Sequence, residues 1–574
     1  MSIYDKSSLV LIPSGTKTSK VYSQKPTNGD GDFDFTRSTA ATRVNADGNI
    51  EKETSNLLLQ SNSFDTTWNI QRTAVTSGQT DPNGGSTAWK ITESTNATAT
   101  YSYLSQAVTA NTISFYAKAG EISQVLVYLG TSRGVYFDLT DGSFVGYYSA
   151  NTDMIYNSTS VGGGWYRYSV FYIGLSVAEI YTAVSGDIYH DLVIGNGFYL
   201  WRAQAEQGLV ARDYIETTTT ALYGGITDNV PRLDYTDSSC PALLLEPQRS
   251  NLVPHSEYLA VGWTYDNTSV ISNSIVSPTG EISASKLLDN TTNGLHRMYY
   301  ITGTSASAHT FSIFLKKGEY SKVEIESLSG VTTNITYDLL NGTATSVGEI
   351  EPYGNDWYRC IFPMSTTSSS NAIQIRLVNN SNSSVFVGTG TSGVHMFGAM
   401  LEAGSYATSY IPTYGTSVTR NADACLGAGD ANTFNSTEGV LYWEGSFDST
   451  STIAGAIALI GGGSNRVQLY NSGTSLVALI QVNGSVIWSQ STSGTIDITS
   501  NHKYAVKWAL NDFALWIDGV EFAVNSSGAT FSDSDLTELR FSDFGASYLY
   551  AKTNQVLTFN TALSDTELAD LTTI

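Results

Sequence analysis

The sequence predicts an all-β protein made of tandem antiparallel β-sandwich (jelly-roll) domains, and three observations carry that expectation. Charged residues make up 14% of the 574, well under the roughly 25% of an average soluble protein. Their place is taken by 35 Tyr, 51 Gly and abundant Ser, Thr and Asn, and Thr, Tyr, Val and Ile suit pleated, half-buried backbone. Segments rich in Lys, Glu and Leu at helical spacing are few. The third observation is a repeat: the chain writes one domain twice. At this length a single core is excluded, and three or so domains are expected.

Trp-Tyr-Arg stands at 165–167 and again at 357–359, each time after a glycine-bearing turn and before an apolar run. SNLLLQSNSFDTTW (55–68) matches SNLVPHSEYLAVGW (250–263), and TISFYAKAGEIS (112–123) matches TFSIFLKKGEYS (310–321). YFDLTDG (136–142) matches TYDLLNG (336–342), and QAEQGLVARDYI (204–215) matches MLEAGSYATSYI (400–411). The matches keep their order, and the offset drifts only between 192 and 200 residues, as loop insertions would make it. The repeated domain therefore spans 55–220 and 250–417, with an N-terminal segment 1–54, a connector 221–249 and a third domain 418–574.

Within each copy, ISFYAKAG and FSIFLKKG read as strands ending in a Gly turn. FDLTDGSF and YDLLNGTA read as hairpins, with Asp141-Gly142 and Asn341-Gly342 supplying the positive φ of a tight turn. Along WYRYSVF, alternation puts Trp165 and Arg167 on one face, Tyr166 and Tyr168 on the other. A two-sheet jelly roll fits this spacing. From EGVLYWEGSF (438–447) the strands lengthen. HKYAVKWALNDFALWIDGVEF (502–522) is a strand, a turn at Asn511-Asp512, a second strand and a turn at Asp518-Gly519. Near the end, Ser564 caps a short helix with Glu567 in its first turn.

The net charge of −23 argues against nucleic acid as a partner, since phosphate neutralisation needs Lys and Arg. The first 29 residues are an exception: Lys6, Lys17, Lys20 and Lys25 face only Asp5, so this arm either docks on an acidic partner or is a solvated terminus. Cys240, Cys360 and Cys425 are odd in number and far apart, which suits inert buried thiols rather than a disulfide framework or metal site. No run approaches 18 apolar residues, and MSIYDKSSLVLIPSG lacks the pattern of a signal peptide. Synthesis in a cytoplasm, without membrane insertion or signal-directed export, is expected.

PRLDYTDSSCPALLLEPQRSNL (231–252) closely resembles a connector of large tailed-bacteriophage structural proteins, an Arg-aromatic-Asp-Tyr-type strand leading into a carbohydrate-module-like jelly roll. FDFTRSTAATRVNADGNIEKETSNLLLQSNSFDTTW (33–68) is similar to the same family's first connector, the Thr-Arg-Ser-Thr-Ala-Ala-Thr run above all. The last region, with ALNDFALWIDG and ALSDTELADL, resembles a concanavalin A/laminin-G-like domain. The likeness runs from about residue 33 to the end. It implies a virion appendage such as a tail fibre, tail spike or head fibre, commonly a homotrimer, attached to other virion proteins through its N-terminal segment.

Glycan recognition on such an architecture calls for exposed aromatic faces with a few amides and carboxylates. The candidates are Tyr166, Tyr168 and Tyr358 beside the WYR strands, and Trp516 in the last domain; core or interface packing is the competing role. Recurrence at equivalent positions assigns Trp165 and Trp357 to cores. GTSRG (130–134) spells a nucleophile elbow and GTGTSG (388–393) a dinucleotide fingerprint, but strands follow both where helices are needed. Glu324 and Glu326 form the closest carboxylate pair, yet the first copy has Leu126 and Tyr128 there, so no shared hydrolytic site is expected. NGDGDFD (28–34) alternates Asn28, Asp30, Asp32 and Asp34 but lacks the Gly and Glu of a calcium loop, and reads as a turn. No cofactor is expected, and structural Ca2+ held by backbone carbonyls would leave no mark in the sequence. The reading that results is a non-enzymatic virion protein that displays sandwiches for adhesion to host surface polysaccharide. Its rivals are a virion-associated polysaccharide depolymerase and a purely structural or decorating subunit without ligand.

Overall fold

The computed structural model describes residues 3–303, 307–328, 334–365, 371–450, 455–462, 464–543 and 548–574. Among these the regular secondary structure is almost wholly strand, with one α-helix, Asp565–Thr572, and a 3-10 turn at Ile3–Lys6. The all-β, tandem-sandwich class read from composition and turn chemistry is the class observed.

The two repeats fold alike. In the second, the strands run in two six-stranded antiparallel sheets. One holds Arg297–Thr302, Asn371–Val378, Lys322–Ser327 and Ile335–Asp338; the other holds Ile282–Asp289, Gly393–Ala403, Ala308–Lys317 and Trp357–Ser365. In the first, the counterparts join into one ten-stranded assembly, because Tyr103–Lys118 and Trp165–Ala183 pass from one layer to the other. Register shifts between Ala107 and Thr112 mark the bend. Each copy encloses its own core. Phe115, Val125, Val127, Phe137 and Leu200 fill the first, and Phe311, Ile313, Val323, Tyr337 and Met396 fill the second.

The repeated motifs are explained by what their polar atoms bind. Asn56 is fully buried and donates to the carbonyls of Ala203 (3.1 Å) and Ile215 (2.7 Å), while accepting from Leu58 N (3.1 Å) and Ala205 N (3.2 Å). Asn251 repeats all four bonds, to Ala399 O, Ile411 O, Val253 N and Leu401 N, at 2.8–3.1 Å. Tyr214 to Ser61 (2.6 Å) recurs as Tyr410 to Ser256 (2.7 Å). The WYR arginines cap equivalent carbonyls: Arg167 reaches Arg212 O, and Arg359 reaches Thr408 O at 2.6 Å. Trp165 and Trp357 are buried, but on the face of the sheet turned away from the sandwich interior. Trp165 lies with Ala88 and Trp201, and Trp357 with Phe314, Phe397 and the connector's Ile50.

The third sandwich opposes an eight-stranded sheet to a five-stranded one. Its core differs from the expected 418–574 boundary. Leu9, Leu11, Val21, Phe33, Phe35, Leu243 and Leu245 share one buried cluster with Trp443, Tyr504 and Val556. Strand Ser7–Leu11 pairs antiparallel with the end of Ala551–Phe559, and Ala242–Leu245 pairs with its beginning. The N-terminal segment is thus a structural part of the last sandwich rather than a projecting arm. The helix Asp565–Thr572 lies on the outer face of this sheet, its Glu567 accepting from Ser564 N at 3.0 Å as the sequence anticipates.

The connectors meet in a buried ionic hub. Asp423 receives Arg37 (3.0 Å) and Arg232, Glu246 receives Arg232 (2.5 Å) and Arg420 (2.7 Å), and all five side chains are at most 5% exposed. Burial alone would raise the Glu246 carboxyl, but Arg420 and Arg232 outweigh it and hold the group well below the usual carboxylate range. The runs that carry the sequence resemblance thus supply Arg37 and Arg232, which tie the two connectors to Ser409 of the second jelly roll and to Asp423 at the start of the last region. A second buried network joins the two jelly rolls: Lys52 to Glu257 (2.8 Å) and Arg212 to Glu281 (2.7 Å).

Candidate saccharide-binding face

The aromatic candidates named from the sequence do not form a face. Tyr168 is fully buried inside the first sandwich, its ring 4.8 Å from Phe137 and its hydroxyl donating to Asp138 O at 3.1 Å. Trp516 is 7% exposed and sealed with Leu568 and Leu571 under the terminal helix. Tyr166 and Tyr358 are half-buried, each laid over the glycine of its hairpin turn, Gly142 (φ 78°) and Gly342 (φ 64°). Alternation had placed Tyr166 and Tyr168 together correctly, but on the interior side of the sheet.

The basic arm is committed to the protein's own surface. Lys6 binds Glu567, Lys20 binds Asp34 at 2.6 Å and Lys25 donates to Tyr4 O at 2.7 Å; Lys17 is exposed. NGDGDFD is a turn, as read: Asp32 accepts from Ser23 N (2.9 Å), and Asp34 takes Lys20. No group of three or more potential metal ligands occurs among the described residues. Cys360 and Cys425 are buried, but Cys240 is exposed, because it lies in the loop between the edge strand Arg232–Asp234 and its neighbour Ala242–Leu245. GTSRG is the tight turn between strands Gln124–Gly130 and Arg133–Asp138. Among the described residues, no helix is long and apolar enough to cross a membrane.

An aromatic face does exist, on the outer side of the first jelly roll. Interior positions on three neighbouring strands are Leu104, Val125, Val127, Ala178 and Ile180. The alternate positions turn outward and carry Tyr103, Tyr128, Glu179 and Tyr181. Tyr101, Tyr136, Tyr148 and Tyr189 extend the patch from adjoining strands and loops. Ring centroids stand 4.8 Å apart for Tyr103–Tyr181, 5.4 Å for Tyr128–Tyr148, 5.7 Å for Tyr101–Tyr189 and 6.3 Å for Tyr128–Tyr181, within the range of favourable aromatic pairs. Tyr189 is 52% exposed, and Tyr101, Tyr103, Tyr128, Tyr148 and Tyr181 are half-buried. Arg72 lies 5.2 Å over the Tyr101 ring.

Burial pushes the Tyr136 phenol up to about 12 and the Glu179 carboxyl above the usual carboxylate range; the hydrogen bond from Tyr181 (2.9 Å) partly opposes the latter shift. The rim is tied down from below. Glu93 binds His190 Nε2 at 2.8 Å and accepts from Val193 N at 2.6 Å, fixing the loop that bears Tyr189.

The second copy makes the comparison informative. Leu126 and Tyr128 pair with Tyr181 and Glu179; the counterparts Glu324 and Glu326 pair with Arg376 and Gln374. Arg376 binds Glu326 and lies 3.5 Å from Glu324, and Gln374 also donates to Glu326. The carboxylate pair picked out in the sequence is thus tied to its own guanidinium. One scaffold face is aromatic in the first copy and ionic in the second. The aligned copies contained that signal: Leu126 and Tyr128 against Glu324 and Glu326. The rest of the patch is gathered from segments far apart in sequence.

No family model matches the chain, and no curated protein matches it. Among solved structures, the chain is similar to the CBM40 module of a Ruminococcus gnavus IT-sialidase bound to α2,3-sialyllactose. That match has 15% identity over 26% of this chain and 93% of that one, at a TM-score of 0.23. It is also similar to mouse laminin α1 domains LG4-5 (10% identity, 48% and 89% covered, TM-score 0.18) and to the LG1-3 region of the laminin α2 chain (9%, 81% and 95%, TM-score 0.16). Superposition this loose bears no weight, and the sandwich architecture rests on the sheets themselves.

Proposed function

We propose that the chain is a non-enzymatic structural protein of a bacteriophage virion appendage, and that it grips polysaccharide through the tyrosine face of its first jelly roll. The single observation that carries the binding role is that face: half-open tyrosines beside a carboxylate, where the sister domain spends the same positions on ion pairs. Sugar rings offer C–H faces to aromatic rings and hydroxyls to the carboxylate and phenols, the combination of apolar surface and few polar groups that binding sites use. The virion role is supported by the resemblance of the connectors 33–68 and 231–252, whose arginines build the hub. Neutralisation of Glu324 and Glu326 by Arg376 supports the non-catalytic reading. Contact through one such face is weak, and several copies in a homotrimeric appendage raise it by avidity.

A glycan array read with the whole protein tests the binding role. Wild type binds at least one polysaccharide class, and Tyr181→Ala weakens it about fivefold, since a lost aromatic contact is worth roughly 1 kcal/mol. Absence of binding at every density overturns the role and leaves the face as a subunit contact. Release of reducing ends from a bound polysaccharide overturns the non-enzymatic reading. Imaging of particles labelled with an antibody to this chain tests the virion role.

A further inference from the structure

The tyrosine face has a charge at its centre. Glu179 projects from Trp165–Ala183, and its register partners are Tyr128 on one neighbouring strand and Ser105 on the other. Tyr181 is the next residue on the same face and donates its hydroxyl to Glu179 Oε2 at 2.9 Å. A carboxylate accepts about four hydrogen bonds, so this one bond leaves most of its capacity unused. Among the described residues Glu179 makes no ion pair. The cations on the strands and loops that carry the patch are otherwise engaged: Arg133 pairs with Asp153 at 2.9 Å, His190 with Glu93, and Arg72 lies over Tyr101. The equivalent residue of the second copy, Gln374, carries no charge and is held by Arg297 and Glu326. A half-buried carboxylate without a counter-ion costs stability, and burial raises its protonation range accordingly. A sandwich that needed only a filled surface has the sister domain's solution available.

We infer that Glu179 sets the ligand class of this face, accepting the hydroxyls of neutral saccharides and excluding acidic ones; the inference rests on the binding role proposed above. Two adjacent ring hydroxyls donate to one carboxylate in a charge-assisted pair while the sugar's C–H face lies on Tyr103, Tyr128 or Tyr181. A uronic or sialic carboxylate brought to the same place meets a like charge at short range, in surroundings where rings displace water. The net charge of −23 opposes its approach as well.

The test is an array carrying neutral glucans, galactans and N-acetylglucosamine oligomers beside polygalacturonate, alginate and sialylated lactose, read with wild type and Glu179→Gln. Wild type binds neutral chains at least tenfold more tightly than acidic ones. Glu179→Gln, close in shape and expected to fold, weakens the neutral ligand about tenfold and brings acidic and neutral chains within about threefold of each other. Wild-type preference for an acidic chain, or a preference unchanged in Glu179→Gln, overturns the inference and leaves saccharide binding standing. Loss of all binding in wild type overturns the binding role and this inference with it.

Discussion

Asn56 and Asn251 show how one residue can specify a junction. Each closes four hydrogen bonds with three separate backbone segments and has no exposed surface. No other side chain of similar volume supplies both donors and acceptor capacity in that shape. Asn56→Ala and Asn251→Ala each strand buried backbone groups and are expected to cost about 3 kcal/mol or more. Chemical denaturation followed separately in each jelly roll, for instance by hydrogen exchange, should place each loss in its own copy. Equal losses in both copies from either substitution would contradict the independence of the two cores. At the same scale, one exchange between the copies marks the guanidinium beside the buried glutamate. Arg212 approaches Glu206 from the C-terminal loop in the first, and Arg249 approaches Glu402 from the entering strand in the second. The position is kept although the sequence position is not.

Among the elements, the strands Ser7–Leu11 and Ala242–Leu245 matter most. Both lie against Ala551–Phe559, and without them the last sandwich would expose one flank of that strand as unpaired backbone. Leu9 and Leu11 are fully buried in its core. Leu9→Ala should cost about 2–5 kcal/mol in unfolding free energy, the range for a buried leucine. The isolated segment 418–574 should be insoluble or strongly destabilised compared with the same segment fused to residues 3–36 and 231–246. A soluble, cooperatively melting 418–574 fragment would refute this closure.

For the whole molecule, the hub of Arg37, Arg232, Glu246, Arg420 and Asp423 ties both connectors to the second jelly roll and to the start of the last region. Removing one partner from a buried cluster leaves an uncompensated charge, so Asp423→Asn should lower stability by about 3–5 kcal/mol, read in the thermal unfolding of the intact chain. The hub also gives the protein an acid limit. Glu246 is held below the ordinary carboxylate range, so its contribution is complete above about pH 4.3 and is lost as the pH falls through its folded value. The difference in melting temperature between wild type and Glu246→Gln should therefore be widest at neutral pH and shrink as the pH drops below about 4. A difference that grows in acid would reverse the assigned sign.

The β class, the duplication and the turns at Gly142, Gly342, Asn511 and Asp518 follow from sequence alone, because alternation, repeat spacing and positive-φ residues are local properties of the chain. The alternating faces of WYRYSVF were legible for the same reason, while which face became interior was not. The tertiary structure alone decided that Tyr168 and Trp516 are buried and that Lys6, Lys20 and Lys25 lie back on the body. It also decided that tyrosines from residue 101 to residue 189 gather on one sheet face. Those outcomes depend on pairing between segments as far apart as Leu9 and Thr558, and nothing in the local pattern of either segment encodes its partner.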